Sequence, residues 1–203
     1  FGATPPKPQT TNLLVSIARV PRSDLHPSDA SLHRALAADL GLKDFDPLTP
    51  HLAEDYRGPR PELLQAMSEQ PWRSTGDTVE RIEMLASRLV AGDIPKPDGL
   101  PAASTVLDWI ADRLRPAIEK SGGAEMQALL NGLAGRFVAP GPAGAPTRGR
   151  PDVLPTGRNF FAVDVRAVPS PSAWKLGQLA AERVVESYWQ EAGEWPRSIA
   201  LSA

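Results

Sequence analysis

The sequence predicts a mainly α-helical fold with an α/β element at the C-terminal end, in which a helical body carries a long, ordered loop rich in proline and glycine. Apolar residues recur at helical spacing in several segments, as expected of amphipathic helices. Five prolines and four glycines between Pro140 and Gly157 exclude a regular helix there, because each proline lacks an amide donor and clashes with the preceding turn. Two short apolar runs, one near each end of the chain, have the composition of strands.

These patterns divide the chain into four regions. They are an N-terminal extended segment and strand at 1–27, a helical region at 28–135, the Pro/Gly/Arg-rich ordered loop at 136–169, and a long helix with the start of a truncated strand at 170–203. The first region holds the apolar run Leu13–Ala18. Its β-branched members, Val15 and Ile17, indicate a buried strand.

The helical region begins with a helix that Ser28 or Asp29 is expected to cap and that Gly41 ends. Its apolar positions recur every four residues at Leu32, Leu36 and Leu40. A long, proline-containing connection follows. Pro61 then suits the first turn of a short helix that runs to Glu69.

The best-formed helical pattern follows a cluster of possible capping residues, Ser74, Thr75 and Asp77. Gly92 ends this helix. Its apolar face consists of Val79, Ile82, Leu85, Ala86, Leu89 and Val90. Charged residues occupy the opposite face, so the pattern predicts a surface helix packed on a core.

A further helix is predicted after a proline-rich connection, with Ser104 as its cap and with a late kink or interruption at Pro116. Its inward positions are Val106, Leu107, Ile110, Leu114 and Ile118. Ser121–Gly123 is expected to end this helix. A short helix over Ala124–Leu133 then follows, with three leucines predicted to be buried: Leu129, Leu130 and Leu133.

The C-terminal region is predicted to hold a short extended segment at 159–163 and then a long helix, Pro171–Ala192. Ser170 and Pro171 provide a start signal, and Gly193 ends the helix. Apolar residues cover more than one face, which predicts burial on several sides; they include Trp174, Leu176, Leu179, Val184, Tyr188 and Trp189. A strand is expected to begin at residues 198–202, so an α/β element enters at this end.

Composition excludes several classes of function. The 203 residues carry a net charge of −2, which provides no general electrostatic basis for binding nucleic acid. The absence of cysteine excludes disulfides and thiolate metal sites and fits a cytoplasmic location. No apolar run of membrane-spanning length is present, so no membrane association is expected. Because the chain starts at Phe1 and ends in a short apolar run, we expect it to be an internal piece of a longer polypeptide.

No catalytic constellation stands out. The three histidines, His26, His33 and His51, form no metal-binding spacing, so no metal site is predicted. Phosphate-binding loops of the usual glycine-rich kinds are absent, which argues against ATP hydrolysis by this chain. A GxSxG elbow is also absent. Catalytic residues are therefore left unassigned.

The proline-rich loop concentrates the remaining chemistry. It holds Arg148, Arg150 and Arg158, together with Asn159 and two carboxylates, Asp152 and Asp164. One interpretation is structural, with the arginines bound to carbonyl groups of an irregular segment and to nearby acidic groups. The other is that guanidinium groups, which bind carboxylates through two parallel hydrogen bonds, face a polyanionic ligand. Composition alone leaves both open.

Two stretches of this loop resemble a known family. Residues 151–159, PDVLPTGRN, followed by Asp164, Arg166, Pro169 and Trp174, are similar to the family of porphyrin chelatases that contains the large subunit of aerobic cobaltochelatase and the H subunit of magnesium chelatase. The preceding segment 137–144, FVAPGPAG, resembles the GPGG-type loop of the same family. Arg158 favours the cobalt branch, because magnesium-type members typically have lysine at this position.

The resemblance implies a large cytoplasmic subunit that binds a corrin precursor, hydrogenobyrinic acid a,c-diamide, and inserts Co²⁺ as a substrate. ATP would be hydrolysed by two partner subunits of the AAA+ type. Together with the chemistry above, it suggests that Arg148, Arg150 and Arg158 hold substrate carboxylates, that Asn159 fixes the loop or a side-chain amide, and that Asp152 and Asp164 orient the arginines. This chain alone is expected to be inactive.

Two alternatives remain at this point. The chain is either a macrocycle-binding segment or a structural and partner-docking module of the same subunit. A further alternative to the cobalt branch is the magnesium branch of the family, whose H-type subunit acts on protoporphyrin IX.

Overall fold

The computed structural model describes residues 7–22, 26–158 and 171–199 of the chain. Their α-helices are α1 (Lys7–Arg19), α2 (Leu32–Asp39), α3 (Glu62–Gln65), α4 (Thr75–Ala91), α5 (Pro101–Trp109), α6 (Arg115–Leu133) and α7 (Pro171–Ala192). A π-helical segment, Ile110–Leu114, joins α5 to α6, and 3-10 turns occupy Pro27–Asp29, Pro146–Arg148 and Pro151–Val153. In this part of the chain the mainly helical prediction is confirmed, and β pairing is limited to one isolated bridge between Asp55 and Ser74.

The strand predicted over Leu13–Ala18 is wrong, because these residues lie within α1. The buried positions of α1 follow a helical period that starts before the apolar run; they are Thr10, Thr11, Leu14, Val15, Ile17 and Ala18. A short apolar run fits a buried helix as well as a buried strand. Packing of α1 against α2 and α4 decides between them.

The core lies where α1, α2, α4 and α5 meet. Its fully buried apolar side chains include Leu14, Ile17, Leu32, Leu36, Ile82, Leu85 and Val106. The inward face predicted for α4 is confirmed, with every one of its six apolar positions buried. Two polar side chains, His33 of α2 and Thr78 of α4, are also completely enclosed.

The cap of α4 agrees with the sequence prediction. Ser74 accepts a hydrogen bond from the Asp77 amide at 3.1 Å, while the Asp77 carboxylate accepts from the Ser74 amide at 2.7 Å. This reciprocal capping box satisfies two amides at the start of the helix. Gly92 ends α4 with φ of 77°, a conformation that favours glycine.

The start of α2 differs from the prediction. Ser31, not Ser28 or Asp29, is the capping residue, and its hydroxyl accepts from the Arg34 amide at 3.4 Å. Ser28 and Asp29 instead form the preceding 3-10 turn. Gly41 adopts φ of 69° just after the helix, as its predicted role requires. The helix predicted from Pro61 to Glu69 is shorter, because α3 ends at Gln65.

The start of α5 depends on a residue from another helix. The helix begins at Pro101, so Ser104 is not its cap. The carboxylate of Asp39, the last residue of α2, accepts hydrogen bonds from the amides of Ala102 and Ala103 at 3.2 and 2.8 Å. A negative group at this position also suits the helix dipole.

Helices α5 and α6 form one continuous helical rod with a widened turn. The interruption predicted at Pro116 is confirmed by the π-helical segment just before it, where the Arg115 amide donates to the Ile110 oxygen. Widening this turn accommodates the proline ring and its missing amide donor. The end predicted at Ser121–Gly123 is wrong, since α6 continues through both glycines. The burial predicted for Leu129, Leu130 and Leu133 is also wrong, because their exposed fractions are 59%, 50% and 78%.

The chain divides into two compact units, residues 1–164 and 165–203. In the second unit α7 has the predicted bounds, and Gly193 follows it with φ of 72°. The predicted burial of α7 is wrong for this chain, since its large apolar side chains are exposed: Trp174, Leu176, Leu179, Val184, Tyr188 and Trp189. Residues 198–199 form no strand, and the predicted segments at 159–163 and 200–202 lie outside the described residues.

Within the described ranges, no helix combines the length and the apolar character that crossing a membrane requires.

Candidate functional site

The candidate site is the segment 141–158, called here the arginine loop. Two 3-10 turns, Pro146–Arg148 and Pro151–Val153, each begin with a proline, and Gly149 connects them with φ of 79°. Proline suits such a first position because its φ is already fixed near the helical value. Val153 is buried and Leu154 packs against the apolar core, so the loop is anchored on the helical body.

Two glycines of the arginine loop allow arginine side chains to cross the main chain closely. A Cβ atom at Gly141 would lie 2.9 Å from Cβ and 3.0 Å from Nε of Arg158. At Gly144 it would lie 3.2 Å from Cβ and from Cγ of Arg150. The segment that resembles the family's GPGG-type loop is therefore in contact with two of the three predicted ligand-binding arginines.

The end of the arginine loop docks on α6. The Thr156 amide donates to the Ser121 hydroxyl at 3.2 Å, and the Thr156 hydroxyl hydrogen-bonds the Glu125 carboxylate. Gly157 has φ of 92°, and a Cβ atom there would lie 2.6 Å from the Glu125 amide nitrogen. Only glycine permits this approach of two backbones. Arg158 thus leaves the loop from a position fixed against a helix.

The predicted site residues have different surroundings. Arg150 forms two hydrogen bonds with the Asp152 carboxylate, Nε to Oδ1 and Nη2 to Oδ2, both at 2.9 Å. These bonds lower the pKa of Asp152 below its ordinary value. Arg148 and Arg158 are exposed. Asn159 and Asp164 lie outside the described residues.

Arg81 has a structural role, and its surroundings differ from those of Arg148 and Arg158. The Arg81 side chain is buried at 2% exposure and lies 4.9 Å above the Trp72 ring. Its guanidinium donates to the main-chain oxygens of Ser68, Gln70 and Asp77. Arg148 and Arg158 have no such acceptor within the described residues. Arg81 therefore binds main-chain oxygens of its own region, and the sequence pattern was wrong to place it on the charged outer face of α4.

Next to the arginine loop lies a cleft of about 560 Å³ that sequence reasoning missed. Gly149, Pro151, Asp152 and Leu154 of the loop form one wall, and Arg22, Trp109, Arg113 and Ala117 belong to the wall from the helical body. Arg22 and Trp109 are far apart in sequence, so no local motif reveals that they meet.

In the described part of the chain, no three histidine or carboxylate side chains are grouped so that they could hold a metal ion.

A family model described as CobN/Magnesium Chelatase matches residues 1–203. The chain is 50% identical to the aerobic cobaltochelatase subunit CobN of a Sinorhizobium species and 44% identical to the subunit of that name from Pseudomonas aeruginosa, and each match covers 100% of the chain. The chloroplastic magnesium-chelatase subunit ChlH of Oryza sativa subsp. indica is 40% identical over 78 residues, which are 38% of the chain.

The matched relatives are much longer than this chain. It spans 17% and 16% of the two cobaltochelatase subunits and 6% of the magnesium-chelatase subunit. No solved structure matches it significantly.

Proposed function

The chain belongs to the CobN/Magnesium Chelatase family, and on that premise we propose that it is a segment of the large, macrocycle-binding subunit of an ATP-dependent cobaltochelatase. The observation that carries this proposal is similarity over 100% of the chain to two aerobic cobaltochelatase subunits. The magnesium-chelatase relative matches only 38% of the chain, which makes the magnesium branch and protoporphyrin IX the less favoured reading.

The proposed reaction is insertion of Co²⁺, as a substrate, into hydrogenobyrinic acid a,c-diamide during cobalamin biosynthesis. Metal insertion requires bases for two pyrrolic protons and ligands that deliver the ion. We assign neither to this chain, which is expected to be inactive alone. ATP hydrolysis belongs to two partner subunits of the AAA+ type, and the complex acts in the cytoplasm.

The role proposed for the arginine loop is to hold the carboxylate side chains at the rim of the macrocycle. Arg148, Arg150, Arg158 and Asn159 are the proposed binding residues, and Asp152 and Asp164 orient the arginines. The exposure of Arg148 and Arg158 supports this role, because their guanidinium groups retain donors for a ligand. The paired geometry of Arg150 and Asp152 supports an orienting function for that carboxylate.

A second candidate is a structural or partner-docking module of the same subunit. The specific observation in its favour is the exposed apolar side chains at the end of α6 and just after it, with Leu133 at 78% and Phe137 at 83% exposure. An apolar surface of this kind is expected to be covered by protein in an assembly.

Calorimetric titration of the intact subunit with the macrocycle distinguishes the two candidates. Arg158→Ala and Arg150→Ala are each expected to weaken binding about tenfold or more, because a charge-assisted hydrogen bond contributes about 1.5–3 kcal/mol. Arg57→Ala is a matched control, since that side chain is 87% exposed and lies outside the arginine loop. Unchanged affinity in both loop variants, with a lowered melting temperature, supports the structural candidate instead.

A further inference from the structure

We propose that the cleft beside the arginine loop is a separate carboxylate-binding subsite in which Arg22 binds the carboxylate. This inference rests on the proposed function for the identity of its natural ligand, a carboxylate-bearing side chain of the macrocycle. Arg22 and the helical wall of the subsite lie outside the residues that carry the family resemblance, and their contacts come from the geometry of the fold.

Arg22 is held in one orientation by its neighbours. Its guanidinium carbon lies 3.5 Å from the centre of the Trp109 ring, so the planar group stacks on the indole. Its main-chain amide donates to the main-chain oxygen of Asp29 at 2.8 Å, which fixes the backbone next to the 3-10 turn Pro27–Asp29. The side chain is only 6% exposed.

The two terminal nitrogens of Arg22 carry donors that the described residues do not use. Both Nη1 and Nη2 are buried and have no hydrogen-bond partner among residues 7–22, 26–158 and 171–199. The neighbouring carboxylate, Asp29, approaches only Nε, and its Oδ1 lies 3.7 Å away. Buried donors without acceptors are unfavourable and uncommon in folded proteins. An acceptor supplied by a ligand would remove that penalty.

The ligand that fits these donors is a carboxylate on an apolar stem. Two terminal N–H groups side by side match the two oxygens of a carboxylate, and stacking on Trp109 leaves the guanidinium edge for them. The cleft wall also includes apolar Leu114, Pro151 and Leu154, which suit the carbon stem of such a side chain. Burial lowers the pKa of Arg22, against the effect of Asp29, but a guanidinium remains charged in proteins.

The charges around the cleft favour an anion. Arg22 and Arg113 line it with Asp29 and Asp152, and the Asp152 carboxylate is already paired with Arg150. Exposed Arg113 places a second positive charge at the same wall. Because the Nη atoms of Arg22 are shielded from solvent, a carboxylate must move a wall side chain in order to reach them.

Calorimetric titration of the intact subunit measures its affinity for two probes, the macrocycle and glutarate. Glutaramide serves as the neutral analogue of glutarate. Arg22→Lys retains the charge but loses the paired N–H groups, and it is expected to weaken the binding of both acids about tenfold. Arg57→Lys makes the same change at an exposed site and is expected to leave binding within about twofold of wild type.

A second pair of variants leaves Arg22 in place. Ala117 lines the same cleft on α6, so Ala117→Glu supplies an internal carboxylate that competes with the ligand. Ala117→Gln has nearly the same size without the charge. We expect loss of glutarate binding in Ala117→Glu with retention in Ala117→Gln, and both should keep the melting temperature of wild type within a few degrees.

The outcomes separate this subsite from the proposed function. If glutarate binding depends on Arg22 but the wild-type subunit does not bind the macrocycle, the subsite stands and the proposed function fails. If the macrocycle binds equally well to wild type, Arg22→Lys and Ala117→Glu, the subsite is disproved and the proposed function stands. Equal binding of glutaramide or inorganic phosphate in place of glutarate also overturns the carboxylate assignment.

Discussion

At the scale of single residues, the glycines of the arginine loop matter through the side chains that pass over them. Gly141 has Arg158 against it and Gly144 has Arg150 against it. Any side chain at either position would occupy the space of an arginine stem. The direction of each guanidinium group therefore depends on a residue that has no functional group of its own.

Gly141→Ala tests this dependence. The new methyl group would lie 2.9 Å from the Arg158 Cβ, so the arginine has to move. We expect affinity of the intact subunit for the macrocycle to fall about tenfold, as for the loss of one charge-assisted hydrogen bond. Calorimetric titration measures this fall.

Gly122→Ala is the matched control for that variant. Gly122 lies within α6, and a Cβ atom there meets nothing within 4 Å. Alanine in place of a helical glycine is expected to stabilise the chain by about 0.5–1 kcal/mol and to leave affinity unchanged. Equal affinities in wild type and Gly141→Ala would contradict a role for Arg158 orientation.

At the scale of secondary-structure elements, helix ends depend on two kinds of capping. The start of α4 is capped by Ser74 and Asp77, which are its immediate neighbours in sequence. The start of α5 is capped by Asp39, which belongs to α2. A local cap is visible in the sequence as a pattern. A cap supplied by another helix becomes visible only when the two helices pack together.

Asp39→Ala is expected to destabilise the chain by about 1–2 kcal/mol, because two amides of α5 lose their acceptor. Urea denaturation followed by circular dichroism measures the free energy of unfolding. The control is Ser104→Ala, which changes the cap that the sequence predicted and is expected to alter stability by less than about 0.5 kcal/mol. A larger effect at Ser104 than at Asp39 would overturn the assignment of the α5 cap.

At the scale of the whole molecule, stability is expected to depend on pH through a histidine in the core. His33 is 0% exposed, and neither ring nitrogen has a hydrogen-bond partner in the part of the chain that the structure describes. Burial, with a smaller effect from Arg19, lowers the pKa of His33 from 6.5 to about 4. The unfolded chain therefore binds a proton more readily than the folded chain, and protonation favours unfolding.

The free energy of unfolding is consequently expected to decrease as pH falls from about 6.5 to about 4, by about 3 kcal/mol in total. His33→Leu removes the titrating group and should flatten this part of the profile. Urea denaturation at several pH values between 7 and 4 provides the measurement. A wild-type slope that persists in His33→Leu would contradict the prediction.

The acidic range below about pH 4 provides an internal control. The folded chain lowers the pKa of Asp77 through hydrogen bonds from the Ser74 and Arg73 amides, and that of Asp152 through hydrogen bonds from Arg150. Each carboxylate contributes stability that is lost as pH falls through its lowered pKa. This decline should be present in wild type and in His33→Leu alike.

Local patterns in the sequence were enough to predict the features that neighbouring residues specify. The bounds of α7, the caps of α4 and the interruption before Pro116 follow from local patterns, because capping, periodicity and the geometry of proline act within a few residues. The family likewise follows from a contiguous stretch, PDVLPTGRN. The binding and orienting roles assigned to six loop residues remain predictions: Arg148, Arg150, Arg158, Asn159, Asp152 and Asp164.

The features that join distant parts of the chain depend on how its helices pack together. A six-residue apolar run became part of helix α1 because it packs on two other helices, and Asp39 became a cap because α2 ends beside α5. Arg22 meets Trp109 in a cleft for the same reason. Residues bury and hydrogen-bond one another when they are near in space, and a local sequence pattern does not show which distant residues will be near.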